Sequence, residues 1–290
     1  MPAIEELAAI LNRLCDAQSF HAGWFVKHFA TGDSASRHGD VVVPSASTRK
    51  IAIMIATLAA ARARRVRLDQ PVEIDADHQK TDWGCFQFLK PGFSITLRDA
   101  IILMIIISDN TCTGIVADLV GLEAVNELCK SIGMKDTEHR HGIPTPGLGT
   151  YRPIQAVNTT TPNDMGLLLD RIVRGTHDSG AAKSLGCAPE DCSEALQIMS
   201  WQRLRDRLPS QLPYRTKIAH KTGTSTSLRN FNDVGIVYLG NQPLFILTTY
   251  TDEVPLELPD GTPGHTGAMR LIGSLSRACY DALRPAGARA

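Results

Sequence analysis

The spacing of apolar side chains divides the chain into a helix-and-strand start, a helical middle and a strand-and-helix end. Residues 4–15 carry apolar side chains at helical spacing, which predicts a helix with one buried face. Residues 23–30 are rich in aromatic residues and valine and precede a turn, so they predict a strand with a second strand after it. Two more strands are predicted at 234–239 and 244–251, followed by a helix whose apolar face runs over 268–279.

The middle of the chain, residues 48–210, is mostly helical by the same criterion. Residues 51–63 are almost all apolar, which is typical of a buried helix. Two stretches, 69–96 and 135–160, are rich in glycine, proline and polar residues, so they are predicted to be loops. Loops this long inside a compact domain are often functional. Further helices are predicted at 97–107, 111–120, 122–132, 162–174 and 193–205.

These elements predict an α/β (α+β) fold, in which both chain ends form one antiparallel sheet flanked by helices. An all-helical region is inserted between the two ends. The expected organisation is a sheet region of residues 1–46 plus 212–290 and a helical region of residues 47–211. We expect the active site in the cleft between these regions.

Charge and cysteine content exclude several classes of function. Thirty basic residues balance thirty acidic ones, so nucleic acid is not an expected partner. The longest apolar run, residues 100–107, is too short to span a membrane. The first residues lack a basic segment and do not resemble a signal peptide, which predicts a cytoplasmic protein; a periplasmic or secreted location stays open if a leader has been removed. Seven cysteines without metal-type spacing predict reduced thiols and no metal site.

The first candidate for chemistry is the segment Ser-Thr-Arg-Lys at 47–50, where the buried helix begins. A serine and a lysine three residues apart share a helix face. Backbone N–H groups at a helix start can hold an oxyanion, and a buried lysine with a lowered pKa can take the serine proton. Taken by itself, the segment fits an N-cap serine with a surface lysine better than a catalytic pair.

Two further polar segments follow. Ser-Asp-Asn at 108–110 comes directly after seven apolar residues and, taken singly, fits a helix end and the cap of the next helix. Lys-Thr-Gly-Thr at 221–224 leads into the C-terminal strands. A lysine and a threonine beside a glycine on an edge strand suit a carboxylate ligand, although an edge lysine also guards against aggregation.

The order of the three segments resembles the penicillin-binding protein and class A β-lactamase superfamily of serine hydrolases. Ser47 precedes Ser108 by 61 residues, and Lys221 follows Ser108 by 113. Residues 89–99, 158–162 and 229–238 resemble other parts of the family, so the resemblance covers roughly residues 20–280. It implies an acyl-enzyme mechanism on a small-molecule acyl substrate, with no cofactor.

The resemblance also implies a role for each residue of the motifs. Ser47 is the acylated nucleophile, Lys50 is the base that activates it, and Ser108 relays a proton to the leaving nitrogen. Trp83, 25 residues before Ser108, is either the aromatic wall of the cleft mouth or ordinary packing. The implied substrate-binding groups are Asn110 for the side-chain amide, Lys221 and Thr222 for a carboxylate, Gly223 for close approach, the N–H groups of Ser47 and Thr224 for the oxyanion, and Arg229 for a carboxylate.

One residue of the family pattern is missing. Class A β-lactamases release the acyl group with a glutamate beside a proline, and the best alignment places Ile143 at that position. No acid occurs from 139 to 161, and Glu138 is displaced by about five positions. Without this base, deacylation is expected to slow by about 10²–10⁴-fold. His139 or His141 are the alternative bases.

Three functions therefore stay open beside a serine hydrolase with impaired β-lactam deacylation. The first is a true β-lactam hydrolase with a different base. The second is an esterase or D-amino-acid peptidase. For a cytoplasmic protein a small-molecule substrate is a better fit than a cell-wall substrate, because the cross-linked cell wall lies outside the cell. The third is a penicillin-binding protein that acylates once without turnover.

Overall fold

The computed structural model describes residues 4–143, 153–227, 229–285 and 287. Its longer helices lie in the middle of the chain and at both ends, and its longer strands lie near the ends. In chain order the elements are α1 (Ile4–Asp16), β1 (His21–His28), β2 (Ser34–Arg37), β3 (Val43–Pro44), α2 (Lys50–Arg62), β4 (Pro71–Ile74), β5 (Phe93–Thr96), α3 (Leu97–Ile106), α4 (Asn110–Val120), α5 (Leu122–Ser131), β6 (Thr159–Thr160), α6 (Pro162–Gly175), α7 (Ser179–Ser184), α8 (Pro189–Ser200), β7 (Ile218–Ser225), β8 (Asn230–Leu239), β9 (Gln242–Asp252) and α9 (Gly264–Leu283).

Both chain ends contribute to one five-stranded antiparallel sheet with the strand order β2-β1-β9-β8-β7. Strand β1 alternates between buried and more exposed positions, whereas β8 and β9 are buried almost throughout. This difference follows from their places, because a central strand covered on both faces has no solvent side. The predicted fold class is confirmed, and β7 lies at the edge of the sheet.

Helices cover both faces of the sheet. On one face α1 and α9 pack against the strands through a cluster that includes Leu11, Trp24 and Leu275. On the other face the helical middle of the chain packs around α2, of which ten of the thirteen residues are buried. Because α2 is surrounded by protein, the polar side chains at its N-terminal end lie where the helical region meets the sheet.

The segment 69–96, predicted as a loop, contains the antiparallel hairpin of β4 and β5. Buried Val72 and Ile74 alternate with exposed Glu73, a pattern too short to stand out among the surrounding turn residues. The last predicted helix of the middle region begins at Pro189 and ends at Ser200, not at 193 and 205. The carboxylate of Asp191 accepts from the backbone N–H of Ala188 at 2.7 Å and thereby fixes the earlier start.

The second predicted loop, 135–160, lies partly outside the described residues, which omit 144–152. Its described end includes β6, which pairs with β3 next to the start of α2. All seven cysteines are free thiols, six of them buried. Within the described ranges, no helix combines the length and the apolar character that crossing a membrane requires.

Candidate active site

Ser47 lies in a 3-10 turn, Ala46–Arg49, that leads directly into α2. The hydroxyl of Thr48 donates to the carbonyl of Ser45 at 2.7 Å and lies 2.9 Å from the hydroxyl of Tyr250 on β9, which can donate to it. These buried hydrogen bonds tie the turn to the sheet. Ser47 itself is half-buried and lines the cleft, where a ligand can reach it.

Lys50, in the first turn of α2, lies buried beneath the cleft. Its Nζ atom is 2.8 Å from both the Ser108 carbonyl and Asn110 Oδ1, and 3.1 Å from Ser108 Oγ. Burial, followed by the nearby charges of Lys221 and Arg49, holds the pKa of Lys50 well below its usual range. A neutral amine fits these contacts, since it can donate to the two carbonyl oxygens and accept from the Ser108 hydroxyl.

The Ser-Asp-Asn segment forms the connection between α3 and α4. Ser108 adopts a left-handed backbone conformation (φ 61°), which is uncommon for a serine. The carboxylate of Asp109 holds this connection in place, because it accepts from the N–H groups of Cys85 (2.8 Å), Phe86 (3.1 Å) and Cys112 (3.0 Å). The segment near residue 85 is thus fastened to the start of α4.

Trp83 forms part of the cleft wall next to this connection. Its ring N–H donates to the carbonyl of Ile107 at 3.1 Å, and its own carbonyl accepts from the N–H of Asn110 at 3.1 Å. Trp83 is 47% exposed, so it offers an apolar surface to a ligand. The neighbouring Asp82, which no sequence motif singled out, accepts from Asn110 Nδ2 at 3.3 Å.

Lys221 lies on the edge strand β7 and is completely buried. Its Nζ atom donates to the carbonyl of Thr222 at 2.8 Å. Burial lowers the pKa of Lys221 to about 7; the positive charge of Arg207 adds to this shift, and the carboxylate of Asp233 opposes it. The side chain can therefore change its charge near neutral pH.

Gly223 allows β7 to approach the turn that contains Ser47. A Cβ atom at this position would lie 3.0 Å from Thr48 Cγ2 and 3.2 Å from the Cβ of Ala46, both tighter than ordinary contacts. The glycine is thus required by the short distance between strand and turn. The sequence suggested close approach of a ligand at Gly223, and that expectation stays a prediction.

Arg207 is a functional candidate that the sequence did not reveal. It lies in the connection between α8 and β7, and its guanidinium is buried against β7 and β8. Nη1 donates to the carbonyls of Gly223 (2.7 Å) and Asn232 (2.6 Å), and Nη2 donates to Thr224 Oγ1 (2.5 Å). No local pattern distinguishes it from the other arginines of 203–207; only the fold brings it beneath the edge strand.

The three motifs converge on one cavity of about 350 Å³. Lys50 and Lys221 lie buried next to this cavity, and Arg229 is not part of its described lining. The backbone carbonyl of Arg229 instead accepts from Val254 N, and its charge acts on Asp252. The lining includes Ser47, Asp82, Trp83, Ser108, Asn110, His141, Asn158, Leu204, Thr222 and Thr224.

The described residues of segment 136–143 place no carboxylate in the cavity. Glu138 forms an ion pair with Arg140, whose guanidinium also donates to the carbonyl of Val157 at 2.6 Å. The side chain of Ile143 packs on α4 over Gly114, where it leaves no room for a Cβ atom. The acid nearest in sequence is therefore engaged elsewhere, and Ile143 is an apolar contact.

The two histidines of this segment have different surroundings. His139 is buried against Asn126, and burial together with the charge of Arg49 lowers its pKa to about 3. His141 lines the cavity, and its Nε2 lies 3.0 Å from the carbonyl of Ala156. Because a carbonyl only accepts, Nε2 is the donor in this contact, which leaves Nδ1 as the acceptor nitrogen of the ring.

Comparison with known proteins identifies the family. A sequence profile of the beta-lactamase enzyme family matches residues 5–283, so the chain belongs to this family. The beta-lactamase regulatory protein BlaB of Streptomyces cacaoi is 24% identical, over 95% of this chain and 98% of its own length. A beta-lactamase from Sphaerobacter thermophilus is 27% identical with a TM-score of 0.82, covering 98% of this chain and 100% of its own.

A second solved structure is a mutant of PBP-A in an acyl-enzyme complex with penicillin G. It is 27% identical to this chain with a TM-score of 0.80, and the alignment covers 97% of this chain and 98% of that one. The family and the fold together define the protein as a β-lactamase-like hydrolase.

Proposed function

We propose that this protein is a serine hydrolase that acts on small β-lactams, esters or amides through an acyl-enzyme on Ser47, and that it releases β-lactam acyl groups slowly. The observation that carries the proposal is the convergence of three sequence-distant motifs on one cavity, whose lining includes Ser47, Ser108 with Asn110, and Thr222 with Thr224. Mutual geometry of this kind defines a catalytic site better than any single motif does.

Acylation begins when Ser47 Oγ attacks the substrate carbonyl carbon and its proton passes to the neutral amine of Lys50. When the bond from the carbonyl carbon to the leaving nitrogen or oxygen breaks, Ser108 Oγ donates its proton to the leaving atom. Lys50, 3.1 Å away, then returns a proton to Ser108. The lowered pKa of Lys50 supports both transfers, because an amine that is easily deprotonated is a usable base near neutral pH.

Binding groups surround this reaction on both sides. We assign the backbone N–H groups of Ser47 and Thr224 to the oxyanion and the Asn110 amide to the acyl side chain. Lys221 and Thr222 bind a substrate carboxylate. Arg207 supports this end by holding Thr224. We assign no carboxylate contact to Arg229, which is not part of the described cavity lining.

Slow release follows from the position of Ile143. Hydrolysis of the ester on Ser47 needs a base to activate water, and the described part of 136–143 offers no acid to the cavity. Loss of such a base slows a reaction by about 10²–10⁴-fold. We therefore expect β-lactam acyl groups to remain attached, whereas the acyl group of the natural ester, amide or peptide substrate leaves by another route.

The test mixes the protein with a fluorescent penicillin and follows the intact mass over time. A persistent adduct of one acyl group per chain, absent in Ser47→Ala, supports the proposal. The matched control is Ser45→Ala, because Ser45 is a serine two residues away that is fully buried. Rapid return of the free protein with product formation would contradict slow release, and absence of any adduct on the folded protein would contradict acylation.

His141 supports the alternative of a true β-lactam hydrolase. It is the histidine of the 136–143 segment that lines the cavity, and its Nδ1 is free to take a proton from water. If it is the base, His141→Gln should slow release of the acyl group by about 10²-fold or more while leaving the rate of acylation unchanged. The control is His177→Ala, an exposed histidine of another segment; equal release rates in all three proteins would exclude this role.

A further inference from the structure

A carboxylate faces the cleft at the side that receives the acyl group. Asp82 is exposed, lines the cavity and is the only acidic residue in its described lining. Within the described chain, no lysine, arginine or histidine forms an ion pair with it. The Asp82 carboxylate accepts a hydrogen bond from Asn110 Nδ2 at 3.3 Å. The negative charge of Asp82 is therefore directed to the space that a ligand occupies.

The orientation of the Asn110 side chain indicates which part of a ligand would lie near the Asp82 carboxylate. Asn110 Oδ1 is held at 2.8 Å by Lys50 Nζ, so Nδ2 points towards Asp82. An amide nitrogen has two hydrogens. One of them meets Asp82, and the other is available for the amide carbonyl of the acyl side chain, as the proposed function requires.

Because Asp82 and that carbonyl would share the Asn110 amide nitrogen, a substituent on the carbon next to the carbonyl would lie near Asp82. A protonated amino group there would form an ion pair with the carboxylate, whereas a second carboxylate would be repelled. Building on the proposed function of Ser47, we propose that Asp82 selects acyl groups that carry a protonated amino group on this carbon.

The other end of the cleft has the opposite preference. Lys221 and Thr222, backed by Arg207, favour a carboxylate on the leaving side. The ligand class that fits both ends is a small zwitterion with an ammonium group on its acyl part and a carboxylate on its leaving part. A short peptide with free ends, or its ester analogue, has this pattern of charge.

Three penicillins test the assignment, since they share the ring carboxylate and differ only at the carbon in question. Benzylpenicillin carries hydrogen there, ampicillin an amino group and carbenicillin a carboxylate. Second-order acylation rates are measured by intact mass at a pH where the ampicillin amine is protonated. We expect ampicillin to react faster than benzylpenicillin, and benzylpenicillin faster than carbenicillin, by about fivefold per step for a partly exposed ion pair.

Asp82→Asn removes the charge but keeps an oxygen for Asn110, and it should bring the three rates together. Asp77→Asn is the matched control, because Asp77 is an exposed acid outside the described cavity lining that already pairs with Lys80; it should keep the order of rates. Equal rates in the unaltered protein, or an unchanged order in Asp82→Asn, would overturn the assignment.

Slower release in Asp82→Asn with unchanged selectivity would also overturn it, in favour of a role as hydrolytic base. Absence of an adduct with all three penicillins on folded protein is a different failure: it would overturn the acylation of Ser47 itself, and the selectivity with it.

Discussion

Replacement of Arg207 tests whether a buried guanidinium holds the edge strand of the cleft in place. Arg207→Ala leaves three oxygen atoms without their donor: the carbonyls of Gly223 and Asn232 and the hydroxyl of Thr224. A buried acceptor left unpaired costs about 1–3 kcal/mol. Burial also lowers the pKa of Arg207, so removing the charge relieves a desolvation cost. The expected net loss is about 3 kcal/mol of unfolding free energy, at the lower end of what breaking a buried charged contact costs.

The assay is urea unfolding, in which this loss appears as a lower midpoint with an unchanged slope. Arg205→Ala is the control, since this exposed arginine lies two residues away, and it should change the free energy of unfolding by less than about 0.5 kcal/mol. Arg207→Lys should recover only part of the loss, because an ammonium lacks the planar fork that meets three acceptors. Equal stability of Arg207→Ala and Arg205→Ala would refute the reasoning.

Three further predictions concern residues of the candidate site. Lys50→Met should lower the acylation rate by about 10²–10⁴-fold, and a fall of less than tenfold in folded protein would exclude Lys50 as the base. Burial lowers the pKa of Lys221 to about 7, so its positive charge is present below that pH and is lost above it. The acylation rate of benzylpenicillin divided by that of its methyl ester should therefore fall as the pH rises through about 7. The ratio is used because the titration of Lys50 affects both rates equally and cancels. A constant ratio would contradict the binding of the substrate carboxylate by Lys221. Gly223→Ala should lower the unfolding free energy by about 1–3 kcal/mol and slow acylation, because the new methyl group would lie 3.0 Å from Thr48 Cγ2; an unchanged urea midpoint would contradict this.

Local pattern was enough to predict most of the fold. Helices such as α2 and α6 were found within one residue at each end, because their apolar spacing and caps are encoded in neighbouring residues. The hairpin of β4 and β5 was missed because four-residue strands among glycine and proline carry too little periodicity. The boundaries 1–46 plus 212–290 and 47–211 stay a prediction.

Some residues of the candidate site could likewise be proposed from the sequence, whereas others could not. Residues within contiguous motifs, such as Ser47 and Lys50, could be proposed from the sequence, because they lie three residues apart across the turn that leads into α2. Arg207 and Asp82 were not, because their partners lie far away in sequence and only the folded chain joins them. Asp82 had one available signal, its position directly before Trp83, for which a place at the cleft mouth was one of two interpretations of the sequence.

The most direct test of the account locates the acyl group. The protein is treated with benzylpenicillin for a time short enough to preserve an adduct and is then digested with trypsin, and the peptide of residues 38–49, which contains Ser45 and Ser47, is fragmented in a mass spectrometer. We predict one penicilloyl group, on Ser47, that persists for longer than it took to form. An adduct on any other residue, or none in folded protein, would contradict the account.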